Sequence, residues 1–251
     1  MSRSEQKWAL RHPGVDTTRF EEYNTPAYQL LGEELVSVRQ IPPNRRSVTG
    51  LFPSQKGAKM VPFESALERD LAATLEFSET VASYESQPVE LRYRSRSGRS
   101  CRGYPDFLVT FHAGNGPPML CDVKYREELF RRWPELKPRL KAARAYAHER
   151  GWTYRIKTEV EIRTPFLANA RFLLPYTRCT PDPEHALILG DAIRKLQTAT
   201  PRLLLEACCQ DPWNQAQLVP TMWSLVGRRN IGVDLDVPVT MGSTIWYPVA
   251  R

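Results

Sequence analysis

No apolar run in this chain approaches the roughly 18 residues that a membrane helix needs, and the opening MSRSEQKWALRHPG has no apolar stretch of the secretory kind. Both absences predict a non-exported protein that does not enter a membrane. Cysteine is scarce and unpatterned: Cys101, Cys121, Cys179, Cys208 and Cys209 are odd in number and contain no CxxC pair. That excludes a disulfide framework and a zinc ribbon and predicts free thiols in a reducing compartment, with Cys208 and Cys209 as helix-core thiols. Histidine numbers only four, and His112 has no Ser or Cys partner suggested, so it reads as a surface residue. There is no internal repeat and no low-complexity tract. What is present is 251 residues with 41% hydrophobic content, enough for a real core, and 21 prolines, above the usual share of roughly 5%, which predict many segment breaks.

The net charge of +7 is unevenly spread. Residues 1–59 carry +3, 60–91 carry −6, 92–123 carry +3, 124–157 carry +7 and 158–251 carry 0. Basic segments favour a polyanion such as nucleic acid, while the acidic block needs a neutralising partner, for which a divalent metal is one candidate. A solvated set of arginines at 92, 94, 96, 99 and 102 explains part of the charge equally well.

Residues 1–60 are rich in Pro, Gly, Arg and Ser without sustained periodicity and are expected to form a basic arm. From Phe63, the apolar positions Phe63, Leu67, Leu71 and Leu75 predict a helix, with Pro62 at its start. Val89, Leu91 and Tyr93 alternate with charged residues and predict a strand followed by the SRSGRS turn. Phe107–Phe111 and Met119–Val123, separated by HAGNGPP, predict a hairpin. Pro134 opens a helical stretch that Gly151 ends, and 152–161 returns to a strand pattern. This order implies a mixed sheet with helices on its faces over residues 61–179. After TPDPE, expected to be a linker, helices at 185–196, 201–209 and 214–226 precede two short strands, the pattern of a winged helix-turn-helix over 180–251.

The segment YPDFLV, followed after the turn by LCDVK, carries the candidate chemistry. Alternation along a strand puts Asp122 and Lys124 on one face, and Asp106 begins the neighbouring strand. With Glu68 from the preceding helix, Asp106, Asp122 and the Val123 carbonyl offer hard oxygen donors suited to magnesium, with manganese able to substitute. The metal would polarise a phosphoryl oxygen, and Lys124 would orient or deprotonate the attacking water and stabilise developing charge. Glu68 is preferred to Glu64, which sits nearer the helix start, where a carboxylate simply favours the dipole. Gln87, in the ESQP turn, either reaches the site or caps the turn. Arg126, Arg131, Arg132, Lys137, Arg139 and Lys141 are candidate phosphate contacts, with a solvated helix face as the alternative for each. Trp133, Trp152, Trp213, Trp223 and Trp246 are expected to anchor cores rather than stack on bases.

A DxK on a strand alone is weak. A helix bearing Glu, a PDFLV strand, a turn, a DVK strand and a basic helix, in that order, resemble the PD-(D/E)xK nuclease pattern. The runs SALERDLAATLEF, ESQPVELRY, GYPDFLVTF, LCDVKYR and TYRIKTEVEI, over roughly 60–162, resemble the TnsA family, the endonuclease subunit of heteromeric transposases. The resemblance implies a restriction-endonuclease-like fold, with catalytic acids on Glu68 and Asp106 and a lysine on Lys124. The second acid falls on Asp122, where some family members carry Gln. It also implies metal-dependent cutting of the 5′ ends of a transposon in the bacterial cytoplasm, at the nucleoid. The implied partners are DNA at the transposon ends, a DDE transposase subunit and an AAA+ ATPase regulator. The rival functions are a stand-alone restriction-type or repair nuclease and a non-catalytic DNA or protein adaptor on the same fold.

Overall fold

Ser65 decides where the first described helix begins. Its backbone is extended and its hydroxyl accepts the Glu68 backbone N–H at 3.1 Å, so α1 runs Ala66–Phe77. Phe63 and Pro62, expected in this helix, lie instead in β2 (Met60–Phe63), antiparallel to β1 (Gly50–Pro53). The four-residue apolar period continues backwards across the cap, but the backbone does not. A computed structural model describes residues 48–248, so most of the expected basic arm lies outside the described residues.

After α1 come β3 (Val81–Ser86), β4 (Leu91–Arg94), β5 (Ser100–Gly103), β6 (Phe107–Phe111) and β7 (Met119–Val123). Helix α2 (Arg126–Glu149), β8 (Thr153–Lys157), α3 (Glu159–Ile162) and α4 (Pro165–Arg178) follow. The central sheet has the order β3-β6-β7-β8, with β7 and β8 parallel and the other pairs antiparallel. The expected hairpin of β6 and β7 is present. The expected strand at 89–93 forms β4, but β4 pairs with β5 in a separate ribbon, and β3 takes the place in the central sheet. A register shift between Val81 and Ser83 interrupts the alternation of β3, which hides it from a period-two search. Helix α2 begins eight residues before Pro134, and Arg132 leaves helical geometry (φ −116°, ψ 15°) where the two segments join. Gly151, with φ +69°, follows the helix end. The strand expected over 152–161 stops at Lys157, because Thr158 and Glu161 form a capping box that starts α3.

The two faces of the sheet are covered differently. Phe107, Val109, Cys121 and Val123 face the larger core with α1 and α4, while Leu120 packs with Leu91, Ala143 and Ala147 under α2. This is a mixed α/β arrangement of the nuclease-like kind. Helices α5 (Pro183–Leu196), α6 (Pro201–Cys208) and α7 (Pro212–Gly227) follow. Strands β9 (Thr198–Ala199), β10 (Gly232–Val233) and β11 (Ile245–Trp246) form a small sheet ordered β10-β11-β9. Asp182, in the expected linker, caps α5. The larger core continues into this part through Leu189, Leu204, Met222 and Ile245, and α4 packs on both α1 and α7. Among the described residues no helix is long and apolar enough to cross a membrane.

The Ser65 hydroxyl also donates to Glu68 Oε1 at 2.9 Å, so one side chain fixes both the helix start and a candidate site residue. Ser65→Ala is expected to cost about 1 kcal/mol in urea unfolding, as for other N-caps. An unchanged midpoint and slope would contradict that role.

Candidate active site

Three of the expected residues meet where β6 begins, β7 ends and α1 starts. Asp106 Oδ2 accepts the Val123 backbone N–H at 2.5 Å and the Lys124 ammonium at 3.2 Å. Lys124 Nζ also donates to the Val123 carbonyl at 2.8 Å. The side chains of Lys124 and Asp106 are only 17% and 12% exposed, so this charge pair lies largely out of water. Burial alone would lower the Lys124 pKa, but the charge of Asp106, helped by Asp122 and Glu68, outweighs it and leaves the pKa above its ordinary value. Lys124 is therefore an ammonium here, able to orient and neutralise rather than to take a proton.

Glu68 approaches from α1. Its carboxyl accepts the Glu64 backbone N–H at 2.7 Å as well as the Ser65 hydroxyl. Burial, then the negative charge of Asp106, push its pKa up to about 7, against the pull of those hydrogen bonds and of Lys124. The shift reports first a carboxyl taken out of water and second the negative charge of Asp106.

Asp122 is placed differently. It is fully buried on the α2 side of the sheet and accepts the Tyr154 hydroxyl at 2.6 Å. Arg139 Nη2 lies 2.5 Å from Asp122 Oδ1 at an angle outside a hydrogen bond, so this contact is an ion pair only. Arg139 Nη1 donates to the Tyr104 carbonyl at 2.7 Å, just before Pro105 and Asp106. Gly103 lets the arginine pass, since a Cβ there would stand 2.8 Å from Arg139 Cδ. Arg139 thus departs from the phosphate-contact role expected of it: its guanidinium is committed inside the protein. Burial first, then Asp106, raise the Asp122 pKa, against Arg139, Tyr154 and Lys124.

The other basic candidates of α2 are exposed. Arg131 pairs with Glu127 at 2.6 Å, Arg132 pairs with Glu128 and Glu135, and Arg126, Lys137 and Lys141 face solvent. Gln87 lies beside the site through its backbone: it sits at φ +48° and its N–H donates to the Asp106 carbonyl at 3.0 Å. Its buried side-chain carbonyl has no hydrogen-bond partner among the described residues.

The donor set suits a hard divalent cation in part. Asp106 Oδ2 and the Val123 carbonyl already turn toward one positive charge, that of Lys124, and the raised Glu68 pKa marks a site where added positive charge is favourable. Both oxygens of Asp122 are engaged by Tyr154 and Arg139. Among the described residues no three His, Cys, Asp or Glu side chains converge at metal-holding spacing.

Residues 78–159 match the family described as TnsA-like endonuclease N terminal. The chain carries a TnsA-like domain. The match runs from just before β3 to the first residue of α3 and contains Asp106, Asp122 and Lys124, while Glu68 precedes it. No curated protein matches the chain. Within the TnsA-like domain the sequence analysis missed Tyr154 and the inward turn of Arg139. Neither carries a local signal, because both depend on the parallel register that sets Leu120 beside Tyr154 and on how α2 lies over the sheet.

The Glu68 shift has a measurable sign. A carboxyl whose pKa rises from 4.5 to about 7 on folding stabilises the fold while protonated, and that contribution is lost as pH climbs through 7. Glutamine has no proton to lose. In EDTA, the stability of Glu68→Gln relative to wild type should therefore grow from pH 4.5 to pH 7.5, by on the order of 2 kcal/mol, and then level off. Urea unfolding at both pH values checks this, and a difference that does not vary with pH would contradict it.

Proposed function

We propose that this chain is a magnesium-dependent DNA endonuclease subunit that cuts the 5′ ends of a transposon alongside a DDE transposase subunit. The observation that carries the proposal is the convergence of Glu68, Asp106 and Lys124 at one edge of a TnsA-like domain. Asp106, Glu68 and the Val123 carbonyl would hold the ion, which when bound polarises a phosphoryl oxygen and lowers the pKa of its water. Lys124, fixed as an ammonium between Asp106 and Val123, orients the scissile phosphate and offsets the charge that develops on it. Asp122 supports this edge of the sheet through Arg139 and Tyr154 and so acts on the reacting groups indirectly. The chemistry is hydrolysis, with water as nucleophile and no covalent intermediate.

The order α5, β9, α6, α7, β10, β11 supports a winged-helix-like module over residues 180–251. Its surroundings carry no net charge over 158–251, which favours docking to a protein partner over supplying DNA affinity. An AAA+ regulator completes the assembly in this account.

Nothing in the chain reads bases by a recognisable motif, so a sequence-specific partner must place the scissile phosphate. Cleavage of transposon-end DNA with magnesium is expected to need the transposase subunit. Asp106→Ala should lower the rate about a hundredfold or more while its unfolding transition stays cooperative. Wild-type rates from Asp106→Ala would overturn the site. Efficient, correctly placed cutting by the chain alone would overturn the partner dependence and favour a restriction-type nuclease.

A further inference from the structure

A second cluster of charge stands beside this centre and takes no part in it. Asp70, two residues beyond Glu68 on α1, has a side chain only 2% exposed, yet three arginines from three places in the fold converge on it. Arg69 Nη2 lies 3.5 Å from Oδ1, Arg163 Nε lies 3.0 Å from Oδ2, and Arg171 bonds Oδ1 from α4. Arg163 also donates to the Tyr125 hydroxyl at 3.0 Å, with its guanidinium 5.5 Å from the centroid of that ring. Tyr125 directly follows Lys124, so the cluster adjoins the candidate centre from both α1 and β7.

One carboxylate cannot balance three guanidiniums. The acids of α3 are engaged elsewhere: Glu159 accepts the Arg126 backbone N–H, and Glu161 accepts the Thr158 backbone N–H and hydroxyl. The three arginine side chains remain 43–47% exposed, with Arg163 and Arg171 held from below by Asp70 and Arg69 touching it more loosely. A structural pin between α1 and α4 needs one arginine, or two. The surplus is positive charge held in place at the surface, which suits a doubly hydrogen-bonded anion such as a phosphodiester.

We propose that Arg69, Arg163 and Arg171, gathered on Asp70, form a docking site for a backbone phosphate of the DNA strand next to the scissile position. The proposal rests on the nuclease function above and adds a contact that sets how the strand enters the centre. Such contacts fix register and orientation rather than sequence.

The test is DNA binding by the full-length chain in EDTA, where no metal-dependent cut is made, followed by fluorescence anisotropy across a salt series. Arg69→Gln is the first variant, because Arg69 is the most loosely held and its loss leaves the Arg163 and Arg171 pins in place. Arg163→Gln and the lysine versions of both follow, each checked for a wild-type unfolding midpoint. Each glutamine variant should weaken binding about tenfold near 0.1 M salt and lower the slope of log K against log salt by about 1, with lysine restoring the slope. Folded glutamine variants with the wild-type slope would show that the arginines are only a structural pin, while the nuclease function would stand. Failure of the wild-type chain alone to bind DNA at any salt concentration would also overturn the docking site, while the nuclease function on which it rests is decided separately by magnesium-dependent cleavage with the transposase subunit present.

Discussion

Asp106 Oδ2 accepts the Val123 backbone N–H and the Lys124 ammonium together, and the edge of the sheet is organised around that double acceptance. The main-chain ladder between β6 and β7 ends here, with the Asp106 N–H still bonded to the Cys121 carbonyl at 3.0 Å. Beyond that point the carboxylate takes the place of a main-chain acceptor. It satisfies a backbone donor at the end of β7 that would otherwise lie unpaired and mostly buried. The same contact leaves Lys124 suspended between Asp106 and the carbonyl of Val123, on the side from which Glu68 approaches. Removing Asp106 therefore disturbs a strand end as well as a charge.

Around this contact the buried charges sort into two groups. Asp122 with Arg139 and Tyr154 is closed on itself: its carboxylate is fully enclosed and its partners lie on neighbouring elements. Such a set is costly to break, because the survivor would be a buried, unpaired charge. Asp106, Lys124 and Glu68 are not closed. With Glu68 ionised they hold two negative charges against one positive, and the pKa of Glu68 rises to about 7 because its carboxyl is buried and, second, because Asp106 is negative. An added cation offsets the excess negative charge. The difference separates the enclosed set around Asp122 from the open set to which the proposed chemistry is assigned.

Much of the fold was legible in local signals. The hairpin of β6 and β7 follows from two apolar runs around a Gly and Pro turn, and Gly151 marks the end of α2. What the sequence concealed depends on long-range register. β3 is bulged at its start, so its alternation is broken, and α4 was not anticipated because its buried face looks toward α1 and α7 at once. Ser65 shows the opposite error, an apolar period read across a cap. At the site, Lys124 lies just past the end of β7 and turns to Asp106 and the Val123 carbonyl, while Asp122 turns to Tyr154 and Arg139, so strand alternation alone did not reveal that the two part company or that α2 would deliver Arg139 onto one of them.

The central claim is that Asp106 and Glu68 carry the metal while Asp122 holds the scaffold beneath them. Manganese titration of the full-length protein by calorimetry at pH 7.5, where Glu68 is largely free to ionise, tests it most directly. The account predicts one site in the wild type, no binding in Asp106→Asn, and weakened binding at unchanged stoichiometry in Asp122→Asn. Wild-type binding in Asp106→Asn, together with its loss in a folded Asp122→Asn, would contradict the account by exchanging the roles of the two aspartates.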